Sequence, residues 1–409
     1  MPATQSTPPQ ALFDGLPYLL EQTPRASLAP IQHNDFSISH EFLLAYQGSK
    51  ATLNAYRREL ERLLQWAWFV ANRSLATLTR QDLETFMGFC QDPPKTWIGL
   101  KKAPRFLNTP QGERLPNPEW RPFVVSVSKT QRKNGVVPKV EDFQLSNTAV
   151  REILAILSSF FSYLHQDAYV ATNPVALIRQ KNKFFTRQQS QRQVRRLNGM
   201  QWDTLISTAK QLAQDDADMH ERTLFIMSCL YSMYLRISEL AASERWEPQM
   251  GDFARDSDGL WWFHTLGKGN KSRDIAVSDD MLEALKRWRR HLNMSALPSP
   301  GDTFPLLPKV RGKGAITSTT YLREVVQLCF DQAEYRLREQ NLPDEADNLR
   351  AATVHWLRHT GISEDVKTRP REHVRDDAGH SSSAITDRYI DVESRERHRT
   401  ARKKSLEME

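Results

Sequence analysis

Cysteine is scarce in this chain, three in 409 residues, and Cys90, Cys229 and Cys329 stand far apart in apolar, helix-like surroundings. No C-x-x-C and no Cys/His cluster offers a zinc site. Scattered thiols of this type read as buried and free in a reducing compartment, not as disulfides. Long apolar runs are missing too: nothing approaches the roughly 18 residues needed to span a bilayer. Residues 1–20 carry no positive segment followed by an apolar one, so no secretory leader is expected. There is no internal repeat and no coiled-coil heptad array. The acidic residues show no spacing recognisable as a metal-dependent catalytic triad. The string G-K-G-N-K-S from Gly267 lacks the G-x-x-x-x-G-K spacing of a nucleotide phosphate loop and leads into a strand-like segment instead of a helix. The expectation is a cytoplasmic protein, away from the membrane, that works with no cofactor and no metal.

What is present is length and positive charge. A chain of 409 residues can build two or more domains, each with its own core, and a 39% hydrophobic share is ordinary for a globular protein. The formal net charge is +7 and the pI about 9.2. Excess Lys and Arg favour a polyanionic partner, because each phosphate neutralised releases condensed counterions. On charge alone a merely basic protein fits equally well.

Residues 1–36 are rich in Pro, Gln, Ser and Thr without a clear period, and are expected to form a flexible N-terminal arm. Residues 37–178 are expected to form a helical domain. Within it Leu53, Tyr56, Leu60, Leu63, Leu64, Ala67 and Trp68 recur at three- and four-residue steps. Arg57, Arg58 and Arg62 fall between them, as a face suited to DNA. Thr79, three residues before Asp82, is a capping residue that opens a helix through Cys90. Ser146 caps another, and Asn173-Pro174 closes the domain. Between them residues 93–144 hold eight prolines and read as an irregular insertion, with a short strand near Phe123–Val127.

Residues 179–196 contain seven basic residues and no acidic one. A charge run is usually a solvated linker. This one separates two apolar-patterned regions, so it reads as a connector whose Lys181, Lys183, Arg187, Arg195 and Arg196 could lie along a phosphate backbone. Residues 197–392 are mainly helical, with one exception: β-prone segments at Gly259–Leu266 and Ser272–Val277 flank a Gly/Asn turn and make a hairpin. Residues 393–409 form a basic tail. The fold class expected is mainly α with a small β-hairpin or sheet (α+β).

Six residues in the second half carry the chemistry. They are Arg236 in L-R-I-S-E-L, Lys268 in G-K-G-N-K-S-R-D, His355 and Arg358 in H-W-L-R-H-T, His380 in A-G-H, and Tyr389 nine residues later in D-R-Y. Each string alone is weak. An Arg with Glu at i+3, such as Arg236 and Glu239, is more often a surface pair worth a few tenths of a kcal/mol. His355 and Arg358, three apart, share one face of a helical turn, and His359 is expected to point elsewhere. A lone Tyr is more often a packing residue. Together, and in this order, they supply what metal-free attack on a phosphodiester needs. Two guanidiniums clamp the charge that builds on the non-bridging oxygens. A phenol with an ordinary pKa near 10 requires a base or a positive field, and His355 is placed to act as that base or to donate to the phosphate. Lys268, on a hairpin tip between two glycines, can protonate the departing 5′ oxygen, and His380 completes the donor set.

In order and spacing these motifs resemble the tyrosine recombinases, the phage integrase family, over about residues 38–390. The resemblance implies an N-terminal helical core-binding (SAM-like) domain and a C-terminal integrase-type catalytic domain clamped around duplex DNA. It also implies a transient 3′-phosphotyrosyl link and strand exchange in a synaptic homo-tetramer without metal or ATP, with or without accessory proteins. The implied role is integration or excision of a mobile element. Two alternatives are a type IB topoisomerase-like enzyme and a non-catalytic DNA-binding regulator. The chain departs from the family where Arg375-Asp-Asp-Ala-Gly-His380 replaces the usual apolar pair before Leu-Gly-His, and where 368–373 is unusually polar.

Overall fold

In the computed structural model the described residues are 8–176, 178, 195–267, 269–390 and 402, without the side chains of Ala384, Arg388 and Ile390. The chain divides into two compact units, Met1–Gln189 and Ser190–Glu409. Among the described residues no helix is long and apolar enough to cross a membrane.

The first unit is built on four long helices: α1 (Pro30–Leu44), α2 (Lys50–Phe69), α3 (Arg80–Gln91) and, after the short helix α4 (Lys129–Lys133), α5 (Asn147–Gln166). Their starts follow local chemistry. Thr79 accepts from the Asp82 amide while the Asp82 carboxylate accepts from Thr79 N–H, a reciprocal cap, and Ser146 caps α5 through the Ala149 amide. Leu53, Leu60, Leu63, Leu64 and Ala67 of α2 meet Ile153, Leu157, Phe160 and Phe161 of α5 in one core.

Two expectations for this unit need correction. The segment before residue 37 is not a loose arm where it is described. Ala11, Phe13 and Leu19 are fully buried, the Leu12 and Phe13 amides both donate to Glu61 Oε1 at 2.9 Å, and the Phe13 ring stacks on Phe36 at 4.7 Å. Helix α1 already starts at Pro30, where a proline costs no hydrogen bond. The partners of this segment lie from 23 to 49 residues away, so no local period announces it.

Residues 93–144 are irregular but are not an appendage. They hold a two-residue parallel pair, β1 (Ile98–Gly99) with β4 (Phe123–Val124), and an antiparallel hairpin, β2 (Phe106–Asn108) with β3 (Arg114–Pro116). Trp97, Ile98, Phe123 and Val125 join the main core.

In the second unit α6 (Gly199–Asp215), α7 (Ala217–Ser232), α8 (Asp279–His291), α9 (Thr319–Glu339) and α10 (Pro343–Ala351) enclose a single core. Against it lies an antiparallel sheet ordered β5 (Phe253–Arg255), β6 (Trp261–Leu266), β7 (Ser272–Ala276). The expected hairpin is β6–β7, and β5 is an additional strand. Three short helices follow: α11 (His355–Asp365), α12 (Arg371–Ala378) and α13 (Ser383–Ile390). Helix α11 approaches the end of α7 so closely that a Cβ on Gly361 would sit 2.0 Å from the Tyr231 carbonyl oxygen. Only glycine permits that approach, and it brings α11 beside the turn that carries Arg236.

Candidate active site

Arg236 follows α7, where the chain leaves the helix through Tyr234. Tyr234 adopts φ +50°, a left-handed conformation uncommon outside glycine and costing on the order of 1 kcal/mol. The turn has a use: the Tyr234 carbonyl accepts from Arg358 Nη1. The Tyr234 hydroxyl pairs with Asp365 and receives Arg369 Nη1 at 3.0 Å, so both ends of the residue are tied to the region around α11.

Two residues on, Ile237–Glu239 form one turn of 3-10 helix. Glu239, 2% exposed, accepts from the Arg236 amide at 2.8 Å and from Arg236 Nη1 at 3.0 Å. It also receives Arg273 of β7 side-on, Nη1 to Oε1 at 3.0 Å and Nη2 to Oε2 at 2.8 Å. Burial alone would raise the Glu239 pKa; the hydrogen bonds and charge of Arg273 and Arg236 outweigh it and hold the carboxyl below its usual range. The i+3 spacing of Arg236 and Glu239 suggests a surface pair, but the carboxylate is buried, and no local spacing announces Arg273 as its second partner. Arg273 Nε continues to the Asp377 carbonyl at 2.9 Å, linking the sheet to α12.

Arg358 is 2% exposed. Besides Tyr234 it donates from Nη2 to the Ala378 carbonyl at 2.5 Å. It bonds to backbone carbonyls and to no carboxylate among the described residues. Burial first, then Arg236, lowers its pKa to about 10, so it remains a cation at neutral pH. The polar run before His380 is explained here. Asp377 is buried and pairs with Arg369 at 2.6 Å, while Val374 and Ala378 supply the apolar contacts. Gly379 at φ +62° ends α12 in the left-handed conformation and turns His380 back over the site.

Tyr389 of α13 is 6% exposed and packs with Tyr234, Ile362, Val374 and Ala378. The His380 ring stacks nearly parallel to it, 15° between planes and 5.9 Å between centroids, with His380 Nδ1 bonded to Thr386 Oγ1 at 2.9 Å. Contrary to the expectation that His359 points elsewhere on its helix, its Nδ1 lies 2.5 Å from Tyr389 Oη. The His355 ring meets His359 edge-on at 4.3 Å, on the exposed rim. All three imidazoles are biased toward the neutral form. Desolvation followed by Arg358 and Arg236 lowers His355. Burial followed by His355, Arg358 and His380 lowers His359 to about 3. Burial followed by Arg358, Arg236 and Arg273 lowers His380 to about 4.

Arg236, His355, Arg358, His380 and Tyr389 therefore converge in one unit, with Glu239, Arg273 and His359 added by the structure. Lys268 lies outside the described residues; Gly267, just before it, is beside Arg273 and Glu239, where a Cβ would stand 2.8 Å from Arg273 Nη1 and 3.2 Å from Glu239 Oε1.

The DNA-contact expectations fare differently. Arg57 and Arg62 are turned into the first unit, each 8% exposed. Arg57 donates to the Asp14 carbonyl and to Asn54 Oδ1. Arg62 donates to the Pro122 carbonyl and Glu59 and lies over the Phe123 ring at 4.3 Å. They hold the insertion and the N-terminal segment and do not form a surface stripe. Arg58 stays on the surface, paired with Glu59 and Glu152. Lys181, Lys183 and Arg187 lie outside the described residues. Arg195 is exposed and Arg196 half-buried, the latter 3.9 Å from Glu364.

Known proteins resemble this chain in sequence and in fold. Residues 195–396 match the sequence profile of the Phage integrase family, a span that contains the whole constellation. Tyrosine recombinase XerC 1 of Ralstonia nicotianae is 29% identical over 180 residues, 41% of this chain and 50% of that protein; that alignment spans half of the relative's length. Tyrosine recombinase XerC of Xanthomonas campestris pv. campestris is 23% identical over 377 residues, 91% of this chain and 89% of that protein. In fold, the chain resembles the XerH site-specific recombinase in its post-cleavage complex with a palindromic difH substrate. The TM-score is 0.54 with 15% identity, over 97% of this chain and 98% of that one.

Proposed function

We propose, from the premise that this chain belongs to the phage integrase family of tyrosine recombinases, that it cuts and rejoins duplex DNA at specific sites, with Tyr389 as the nucleophile. The observation that carries this reading is the position of Tyr389 among two imidazoles and a guanidinium: His359 Nδ1 lies 2.5 Å from Oη, His380 stacks on the ring and Arg358 is close enough for mutual electrostatic influence.

Arg236 and Arg358 hold the scissile phosphate. A guanidinium already fixed by Glu239 or by two backbone carbonyls loses little freedom when the phosphate arrives, and preorganised charge of this type contributes several kcal/mol to the transition state. Arg273 positions Arg236 through their shared carboxylate. His355 and His380, neutral at pH 7, donate N–H groups to the non-bridging oxygens without repelling the two arginines. Lys268 is assigned the proton for the 5′ leaving oxygen. The 3′-phosphotyrosyl link conserves the bond energy, so a 5′ hydroxyl from another strand can reseal it without ATP. Strand exchange in a homo-tetramer, for integration or excision of a mobile element, is the biological setting this chemistry suits, and Arg58, Arg195 and Arg196 remain candidates for backbone phosphate contacts.

Covalent trapping tests the reading. Nicked duplexes from the ends of the DNA element encoding the protein, denatured after incubation without metal, should carry a protein adduct at a 3′ phosphate with wild type and none with Tyr389→Phe. Sequence-specific binding without an adduct would turn the reading toward a regulator, and a metal-dependent cut would refute it.

A further inference from the structure

Three histidines surround Tyr389, and their nitrogens are not equivalent. The His380 ring runs nearly parallel to the phenol ring, 5.9 Å between centroids, with Nδ1 bonded to Thr386. His355 sits on the rim and meets His359 edge-on. His359 alone of the three directs a ring nitrogen at the reacting oxygen, Nδ1 to Oη at 2.5 Å. A phenol O–H is the natural donor in that bond, which requires a lone pair on Nδ1 and the proton on Nε2. The groups facing His359 are His355 and Arg358 on its own helix, His380 beyond α12 and Tyr389 of α13. Together with burial, the cationic neighbours keep the imidazole neutral, which is the form that can accept.

Resting on the recombinase reading above, we propose that His359 is the catalytic base that takes the phenolic proton of Tyr389. In that step the Oη–H proton passes to Nδ1 as Oη bonds to phosphorus. The P–O5′ bond breaks, and the 5′ oxygen leaves with a proton from a separate acid, the role assigned to Lys268. Nothing is oxidised or reduced. The same geometry explains why the base is quiet without substrate. The positive field of Arg358 that disfavours a proton on His359 is offset when a phosphate anion docks on the arginines, so the proton affinity of Nδ1 rises as the scissile phosphate binds. His355, assigned this role from spacing alone, then serves the phosphate oxygens and supports His359 edge-on.

The test uses the full chain and a nicked duplex pool with randomised flanks, from which wild type first selects its own substrate by covalent capture. Absence of any wild-type adduct would count against the recombinase reading itself. His359→Asn keeps an oxygen that can accept the phenol hydrogen bond but cannot take its proton. It should bind the selected duplex normally, yet form adduct about 10²–10³-fold more slowly in single turnover, a typical range for loss of a general base. Its rate should climb about tenfold per pH unit as phenolate forms directly. The defect should persist on a 5′-bridging phosphorothiolate, whose leaving group needs no proton. A rate within about threefold of wild type, or rescue by the phosphorothiolate, would overturn the assignment. Should His359→Asn fail to fold, 15N-histidine NMR of the wild-type protein decides independently. A deprotonated Nδ1 that shifts on Tyr389→Phe supports the proposal, and a protonated Nδ1 refutes it.

Discussion

Two arginine clusters, one in each unit, are held in opposite ways. In the first, Arg62, Arg105 and Arg114 pair with Glu59, Glu61 and Asp14, and Arg57 lies beside Asp14 through its carbonyl. Charge is nearly balanced, and the product is a scaffold that clips the N-terminal segment and residues 93–144 onto α2. In the second, Arg236 and Arg273 share the single carboxylate of Glu239, and Arg358 rests on two carbonyls. Three guanidiniums around one carboxylate leave an excess of positive charge in a low-dielectric setting, where an arriving phosphate is worth far more than it would be in water. Balanced burial builds structure; unbalanced burial leaves the excess positive charge on which the proposed phosphate site rests.

Three tests can break that contrast. Arg358→Lys should have the largest effect. A lysine cannot bridge the Tyr234 and Ala378 carbonyls and still face a phosphate, so single-turnover cleavage should fall about 10³-fold with DNA affinity little changed. Retention of cleavage would mean that charge without the planar fork suffices.

Next come Glu239→Gln and Glu61→Gln as a pair. Each removes a buried carboxylate beneath arginines and should cost its own unit about 3 kcal/mol in denaturant unfolding. The comparison predicts that Glu239→Gln also impairs cleavage by releasing Arg236 and Arg273, whereas Glu61→Gln leaves the chemistry of correctly folded molecules unchanged. Equal catalytic losses would remove the distinction between scaffold and site.

The smallest effect concerns pH. His359 and His380 have folded-state values near 3 and 4, below the ordinary 6.5. Above 6.5 neither the folded nor the unfolded chain carries these protons. As pH falls below 6.5 the unfolded chain binds them first, so stability is lost progressively down to about pH 4 for His380 and about pH 3 for His359. Thermal melts should show the Tm of the second unit falling by several degrees across that window, and the loss should shrink in His359→Asn. A flat profile would mean that the imidazoles titrate normally.

Much of this was legible along the chain. The α2 stripe, the Thr79–Asp82 and Ser146 caps and the β6–β7 hairpin follow from period, capping chemistry and turn residues, all of which act within a few positions. Arg236, His355, Arg358, His380 and Tyr389 were legible through their order. What could not be read was direction. Arg57 and Arg62 look like an exposed basic face because the acidic and carbonyl partners that turn them inward come from residues 14 and 122 as well as from α2. The eight prolines of 93–144 correctly signal irregular backbone, yet give no hint that Trp97 and Phe123 complete the core.

By itself the sequence determined the mainly helical class, the elements whose signals are local, and an ordered set of candidate site residues. Only the tertiary structure decided which arginines are neutralised, that Arg273 shares the carboxylate of Arg236, and that His359 is the histidine that meets Tyr389. The physical reason is separation: Glu239 and Arg273 are 34 residues apart, and His359 and Tyr389 are 30. Such pairs are set by how closely helices and strands approach, as at Gly361, and not by any period within one of them.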